Sequence, residues 1–286
     1  MQGSKQLKTY AVPTGGLPPQ TERFADRAIF TDAYAFIPKT VMTDIVTSNL
    51  PFWDQTRLWV LARPLSGFSE TFSHYLMEVG VGGGSAKPDS DKEAEHVLFI
   101  VSGHISLDLD NKKISLSSGG YAFIPAGKNW SLHNNTAENA VFHWIRKRYQ
   151  PVDGIEYPDL LITSDSEVSA EPMPDTDGVW ATSCFVNPKD IRHDMLVNIV
   201  TFQPGGVIPF AETHVMEHGL YVLEGKGVYY LNGDWKEVEA GDYMWLRAFC
   251  PQACYAAGPK PFRYLLYKDV NRHMPLTHNG NRDCNQ

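Results

Sequence analysis

Apolar residues in this chain come in short runs broken by turn-forming residues. From about Arg27 the runs are AIFTDAYAFI, LWVLARP, HYLMEVGVGGG, VLFIVSG, ISLDLDN and YAFIPAG. A second series begins near residue 179, with VWATSCFV, MLVNIVTF, LYVLEG, GVYYLNG, YMWLRAF and FRYLLYK. The runs are rich in Val, Ile, Phe and Tyr and are bounded by Gly, Asn, Asp or Pro, as strands and tight turns are. No stretch keeps a long helical period. The pattern predicts an all-β chain folded as two barrels or sandwiches.

The two series align with each other at one constant offset of 122 residues, without a gap. Gly84 falls on Gly206, His96 on His218, Gly103 on Gly225, Gly119 on Gly241 and Trp130 on Gln252. The text between these anchors agrees: HVLFIVSGHISLDLDNKKISLSSGGYAFI lies over HGLYVLEGKGVYYLNGDWKEVEAGDYMWL. Five anchors at one offset make this a duplicated barrel. The expected organisation is a polar arm at 1–24, a first barrel at 25–162, a linker at 163–177, a second barrel at 178–272 and a tail at 273–286. The linker assignment rests on TSDSEVSAEPMPDTD, which is acidic, rich in Ser and Pro, and almost without aliphatic residues.

Comparing the copies isolates the candidate chemistry. In the second copy Glu212, His214 and His218 lie close together, and Gln252 follows at a distance. Glu212 and His214 are two apart, so on a strand both leave the same face. His218 has the same parity if the strand continues. Two imidazoles and a carboxylate converging on one point suit a divalent transition metal. In the first copy the matching positions hold Ser90, Lys92 and Trp130, and only His96 remains as a ligand type. The second barrel is therefore expected to carry the site, and the first to be structural, covering or dimerising. Tyr264 and Lys268 in FRYLLYK are four apart, hence on one strand face, and offer a hydroxyl donor and a cation to an anionic substrate.

Other residues carry blander expectations. Glu217 has the opposite parity and is expected to face solvent. Tyr221, Tyr229, Trp245 and Phe249 read as barrel lining and core, Tyr229 being closest to the site hairpin. His74, His104, His133, His143, His193, His273 and His278 read as satisfied or exposed histidines. Arg146 stands at the offset position of Lys268, so a basic residue there can serve structure. The Gly-rich run at 80–84 has no following helix and is not a phosphate loop.

Composition narrows the partners. There are 33 acidic and 25 basic residues in the 286, giving a net charge of −8. Nucleic acid and anionic membrane surfaces are disfavoured partners at that balance. No apolar run approaches the ~20 residues of a membrane-spanning helix. The N-terminal text MQGSKQLKTYAVPTGG lacks a secretory layout, so a cytoplasmic protein is expected. Cys184, Cys250, Cys254 and Cys284 form no dense framework, in keeping with a reducing compartment. Cys250 and Cys254 would make half a zinc site, but no second pair completes it.

The second copy resembles a cupin. Cupin motif one runs Gly, five residues, His-x-His, three or four residues, Glu, six residues, Gly. Here Gly206 is followed by five residues, Glu212-Thr213-His214, three residues, His218, six residues and Gly225, so the frame matches while the ligand types are permuted. Motif two ends on a His, and here that position is Gln252. In the first copy Gly119, Pro125 and Gly127 keep the motif-two skeleton, with Trp130 at the ligand position. A Glu, His, His, Gln set in a bicupin is similar to the (S)-ureidoglycine aminohydrolases of allantoin degradation, and the resemblance extends from about Asp26 to Arg272. It implies two tandem jelly-roll barrels and a Mn²⁺-dependent release of ammonia from (S)-ureidoglycine, with Fe²⁺ or another divalent metal as an alternative. By the same resemblance Glu212, His214, His218 and Gln252 bind the metal. Glu212, Gln252, Tyr264 and Lys268 touch a small anionic substrate, and Glu212 or Lys268 shuttles the proton. A homo-oligomer is expected, since bicupins resemble one another in pairing.

Two other readings compete. Two His and one carboxylate with open positions is also the non-haem iron pattern, so an Fe²⁺ cupin dioxygenase acting on a small organic acid is the nearest rival. A non-catalytic bicupin that binds a small molecule is the other, although it has no need for Glu212, His214, His218 and Gln252 together.

Overall fold

The computed structural model describes residues 28–42, 50–64, 67–110 and 112–270. The arm at 1–24, the tail at 273–286, His273, His278 and Cys284 lie outside the described residues. Among those described there are twenty strands and one short 3-10 turn, Lys39–Val41, and no α-helix. The all-β expectation holds, and the offset between the copies reappears in the strands. β5 (Ala94–Ser102), β6 (His104–Leu109), β7 (Lys112–Ser117), β8 (Gly120–Ile124), β9 (Trp130–His133) and β10 (Ala140–Arg148) form the first series. They correspond to β15 (His218–Glu224), β16 (Lys226–Leu231), β17 (Asp234–Glu239), β18 (Tyr243–Leu246), β19 (Gln252–Ala256) and β20 (Phe262–Asp269). Ahead of these stand β3 (Asp54–Ala62) and β4 (Phe72–Ser85) in the first copy, and β13 (Trp180–Cys184) and β14 (Met195–Phe202) in the second.

The duplicated glycines are turn positions. Gly103 and Gly225 both adopt left-handed backbone, at φ 76° and 79°. A side chain at Gly225 would sit 2.1 Å from the carbonyl oxygen of Pro261. Each position lets one strand leave the large sheet and re-enter on the facing one, where no Cβ fits.

Each barrel encloses its own core. In the second, β16, β17 and β19 form a small sheet facing the large one, and Tyr229, Leu231, Val238 and Cys254 pack against Val200, Phe202, Leu220, Val222 and Tyr264. In the first, one nine-stranded sheet curls so that Leu107, Leu116 and Leu132 meet Met77, Leu98, Ile100 and Phe142. A third core lies between the barrels. Trp59, Phe72, Val97, Phe99 and Tyr121 of the first pack on Met195, Val197, Tyr243, Leu265 and Tyr267 of the second. The large sheets are thus buried on both faces, which explains why VLFIV and MLVNIV read as continuous apolar runs rather than as alternation.

The chain crosses between barrels at the sheet edges. β1 (Ile29–Phe30) and β2 (Tyr34–Ile37), which the sequence assigns to the first barrel, extend the second barrel's large sheet, β2 pairing with β18. The 163–177 stretch is not wholly a loop. β11 (Leu161–Ser164) pairs with β8 of the first barrel, and β12 (Ala170–Pro172) pairs with β13 of the second. Edge pairing uses main-chain groups, so a polar side-chain pattern does not exclude it.

Candidate active site at the mouth of the second barrel

The candidate residues gather at one end of the second barrel. β15 begins at His218, which stands opposite Lys268 of β20 on one side and Leu246 of β18 on the other. Glu212 and Gln252 form an isolated antiparallel bridge, with N–H···O distances of 2.8 and 2.9 Å in the two directions. The segment between them departs from the expected strand. Val215 and Met216 form a bend, so the shared parity of Glu212, His214 and His218 is not what brings them together. The bend folds the His214 ring back to 5.0 Å from the His218 ring, centre to centre. The His214 carbonyl accepts the Phe249 N–H at 2.6 Å. Phe249 takes up a left-handed φ of 65° and is 63% exposed, so it belongs to the rim and not to the core expected for it.

The side chains form a graded set. His218 and Gln252 are buried, while Glu212 and His214 are reachable from outside. His214 Nε2 lies 3.2 Å from Glu212 Oε1. Burial, with His214 and Lys268 adding to it, pushes the His218 imidazole down to about 3, so the ring is neutral with a lone pair at working pH. Tyr229, fully buried on β16, donates its hydroxyl to Gln252 Oε1 at 3.2 Å and lies 3.4 Å from the Tyr264 hydroxyl. Burial keeps both phenols protonated by raising them well above their ordinary value. Tyr229 was legible only as core, yet it orients one of the candidate ligands. Phe262 and Tyr264 of β20 face this barrel's interior, with Leu266 packed against it, while Leu265 and Tyr267 face the other barrel. Burial lowers the Lys268 ammonium, against Cys184 and Glu212, which raise it. The Cys184 thiol is thus an electrostatic neighbour of Lys268, a pairing that no local pattern signals.

Among the described residues, no three His, Cys, Asp or Glu side chains stand in metal-holding geometry. The donor chemistry still fits a divalent cation. Two imidazoles, a carboxylate and an amide oxygen suit Mn²⁺ or Fe²⁺, and His218 needs no deprotonation to serve.

The matching place in the first barrel is filled. Arg146 Nη2 pairs with Asp89 Oδ2 at 2.5 Å and its guanidinium lies over the Trp144 ring at 5.2 Å. His96 accepts the Trp144 indole N–H at 3.4 Å, and its ring lies 5.2 Å from that of Trp130. Lys92 is bonded to Asn129. A cleft of about 310 Å³ opens nearby, lined by Lys92, Glu93, Gly127, Tyr149 and Tyr157, without a ligand set.

Glu217 overturns its expectation. It is buried, not solvent-facing, and its carboxylate accepts hydrogen bonds from the first barrel. The bend at 215–216 ends the alternation on which its parity was counted.

Two facing-sheet barrels in tandem, one with polar ligand types at its mouth, define a bicupin. The cupin domain family matches the chain twice, over residues 75–146 and 198–267. The (S)-ureidoglycine aminohydrolase of Escherichia coli K12 is 33% identical over 81% of this chain and 87% of its own length. The (S)-ureidoglycine aminohydrolase of Arabidopsis thaliana is 33% identical over 80% of this chain and 74% of its own. Among solved structures, the "Putative Glyoxylate Induced Protein" of Pseudomonas aeruginosa shares 61% identity and superposes with a TM-score of 0.87, covering 96% of this chain and all of that one. This chain belongs to the (S)-ureidoglycine aminohydrolase family of bicupins.

Proposed function

We propose that this protein is a metal-dependent (S)-ureidoglycine aminohydrolase, releasing ammonia from (S)-ureidoglycine to give (S)-ureidoglycolate. The observation that carries this is the coincidence of two facts. Relatives of that name align over about four-fifths of the chain, and the polar cluster at Glu212, His214, His218 and Gln252 falls inside the second matched cupin domain.

Glu212, His214, His218 and Gln252 would hold the metal, taken as Mn²⁺. When bound, the ion supplies Lewis acidity and fixes which substrate heteroatoms can approach. The rest falls to the protein. The Lys268 ammonium and the Tyr264 hydroxyl hold the substrate carboxylate, and the neighbouring Tyr229 hydroxyl keeps the Gln252 amide oriented. In the reaction a C–N bond breaks, a C–O bond forms from water, and the departing amine takes up a proton. Glu212 is reachable from outside and can accept a proton from water and pass it on, and Lys268, lowered by burial, is the other candidate. A substrate of the wrong hand would leave these buried polar groups unpaired.

Exposed apolar residues, including Phe30, Trp235 and Tyr255, support assembly into a homo-oligomer, which light scattering would measure. Freshly generated (S)-ureidoglycine, offered to protein stripped of metal and then reloaded with Mn²⁺, tests the activity. The expected result is Mn²⁺-dependent ammonia release above the uncatalysed rate, yielding one enantiomer. Oxygen uptake during turnover of a small acid, with no ammonia release, would point to the dioxygenase instead.

A further inference from the structure

The residue immediately before His218 is clasped by the other barrel. Glu217 Oε1 accepts the Glu70 N–H at 2.6 Å and the Trp245 indole N–H at 2.6 Å. Its Oε2 accepts the Thr71 N–H at 2.9 Å and the Thr71 hydroxyl at 2.5 Å. Three of these four donors belong to the segment that leads into β4 of the first barrel. Tyr267 of β20 joins the group through its hydroxyl, 2.9 Å from that of Thr71. The Glu217 N–H in turn donates to Asp269 Oδ1 at 2.6 Å, and Asp269 directly follows Lys268. Glu217 therefore fastens the residue ahead of His218 to the first barrel through its carboxylate and to the residue after Lys268 through its N–H.

The neighbouring Gly219 shows how closely the two barrels meet here. A Cβ at this position would lie 2.7 Å from Phe72 Cζ and 2.7 Å from the Tyr243 hydroxyl. Phe72 follows Thr71 directly, so the clasp and the ring that backs β15 come from the same stretch of the first barrel.

The duplication provides an internal control. At the offset of 122, Glu217 falls on Glu95, which precedes His96, and Phe72 falls on Asp194. Glu95 is buried opposite Lys147, whose Nζ pairs with Asp194 at 2.6 Å. In the first copy the barrels are thus joined by the Lys147–Asp194 ion pair beside Glu95, and in the second by the Glu217 carboxylate itself. The Glu95 junction adjoins a place filled by Arg146 and Trp130. The Glu217 clasp adjoins the candidate site.

We infer that Glu217 is a positioning residue: the first barrel, through Glu70 and Thr71, holds the Glu217 carboxylate and so sets the placement of His218 beside it and, through the Glu217 N–H to Asp269, of Lys268. The inference rests on the proposed metal site of the second barrel. It gives the first barrel a part in the chemistry without any ligand of its own.

Three variants test it: Glu217→Gln, which keeps the size but sets an amide N–H against donors, Thr71→Val, which removes one hydroxyl, and Glu95→Gln. Each is measured for melting temperature, for Mn²⁺ affinity by calorimetry with the metal alone, and for kcat and KM. Glu217→Gln is expected to weaken Mn²⁺ binding tenfold or more and to lower kcat by at least as much. Thr71→Val should move both in the same direction by about threefold, and it decides the matter if Glu217→Gln does not fold. Glu95→Gln should lower the melting temperature comparably while leaving Mn²⁺ affinity and kcat within twofold. Equal effects of Glu217→Gln and Glu95→Gln on Mn²⁺ affinity would overturn the inference, as would a Thr71→Val protein of unchanged affinity and rate. If the wild type binds Mn²⁺ but does not turn over ureidoglycine, the proposed substrate fails, and the affinity comparison still decides the positioning role.

Discussion

Glu212 and Gln252 exchange main-chain hydrogen bonds across the mouth of the second barrel, each N–H donating to the other's carbonyl at 2.8 and 2.9 Å. Two side chains proposed to share a metal are thus set side by side by their backbones. Glu212 Oε1 and His214 Nε2 lie 3.2 Å apart, close enough to meet on one ion. The melting temperature should therefore rise with Mn²⁺ concentration, by about 2.7 kcal/mol of stability at a hundredfold excess over Kd. A Glu212→Ala protein should lose most of that rise in differential scanning fluorimetry.

Tyr229 should matter more to rate than to stability. Its hydroxyl supports Gln252 Oε1 at 3.2 Å and neighbours Tyr264. Tyr229→Phe removes one buried hydrogen bond, about 1 kcal/mol, and leaves the ring in the core. The expected result is a melting temperature within a few degrees of wild type and a kcat about tenfold lower. An unchanged kcat would mean that Gln252 needs no such support.

Lys268→Met should separate metal binding from substrate handling. The side chain is half-buried beside His218, and methionine fills a similar volume without the charge. Metal content should be retained, while ammonia release falls a hundredfold or more. A variant that keeps its rate would remove Lys268 from the chemistry.

The His74–His143 pair predicts acid sensitivity. The two rings meet at 3.0 Å between Nε2 and Nδ1, both fully buried between the barrels. Burial holds His143 down to about 3, and burial together with His143 holds His74 well below its ordinary value. The unfolded chain takes up these protons below about pH 6.5, whereas the folded chain does not. Stability therefore falls as pH drops from about 6.5 toward 3, by about 2 kcal/mol for His143 alone between pH 6.5 and 5. The second copy carries Leu196 and Leu265 at these positions. The double variant His74→Leu, His143→Leu should flatten the decline in melting temperature between pH 6.5 and 4.5. Buried His96 and His218 keep it from vanishing. An unaltered slope would mean that the pair does not titrate on unfolding.

Much of this architecture was legible because duplication repeats constraints. Gly103 with Gly225 mark the same turn and His96 with His218 the same strand position in both copies, and the strands follow them. The frame of the site was legible for the same reason, since it is read against a copy in which Trp130 and Arg146 stand in the corresponding places. The environment of Glu217 was not legible. Parity predicts a face only while a strand continues, and the bend at Val215–Met216 ends it. The outer strands β1 and β2, the end of β11 and β12 were assigned elsewhere because main-chain pairing leaves no mark in side-chain polarity. Partners distant in sequence, such as Thr71 for Glu217 or Tyr229 for Gln252, follow from topology and not from local pattern.

If the second barrel carries the chemistry and the first supports it, the two barrels must differ in metal content. Mn²⁺ per chain is counted in purified, reloaded protein, with ammonia release from (S)-ureidoglycine measured on the same sample. One ion per chain is expected, with ion and activity vanishing together in His214→Ala and both persisting in His96→Ala. Two ions per chain, or turnover that survives the loss of the second-barrel ion, would contradict it.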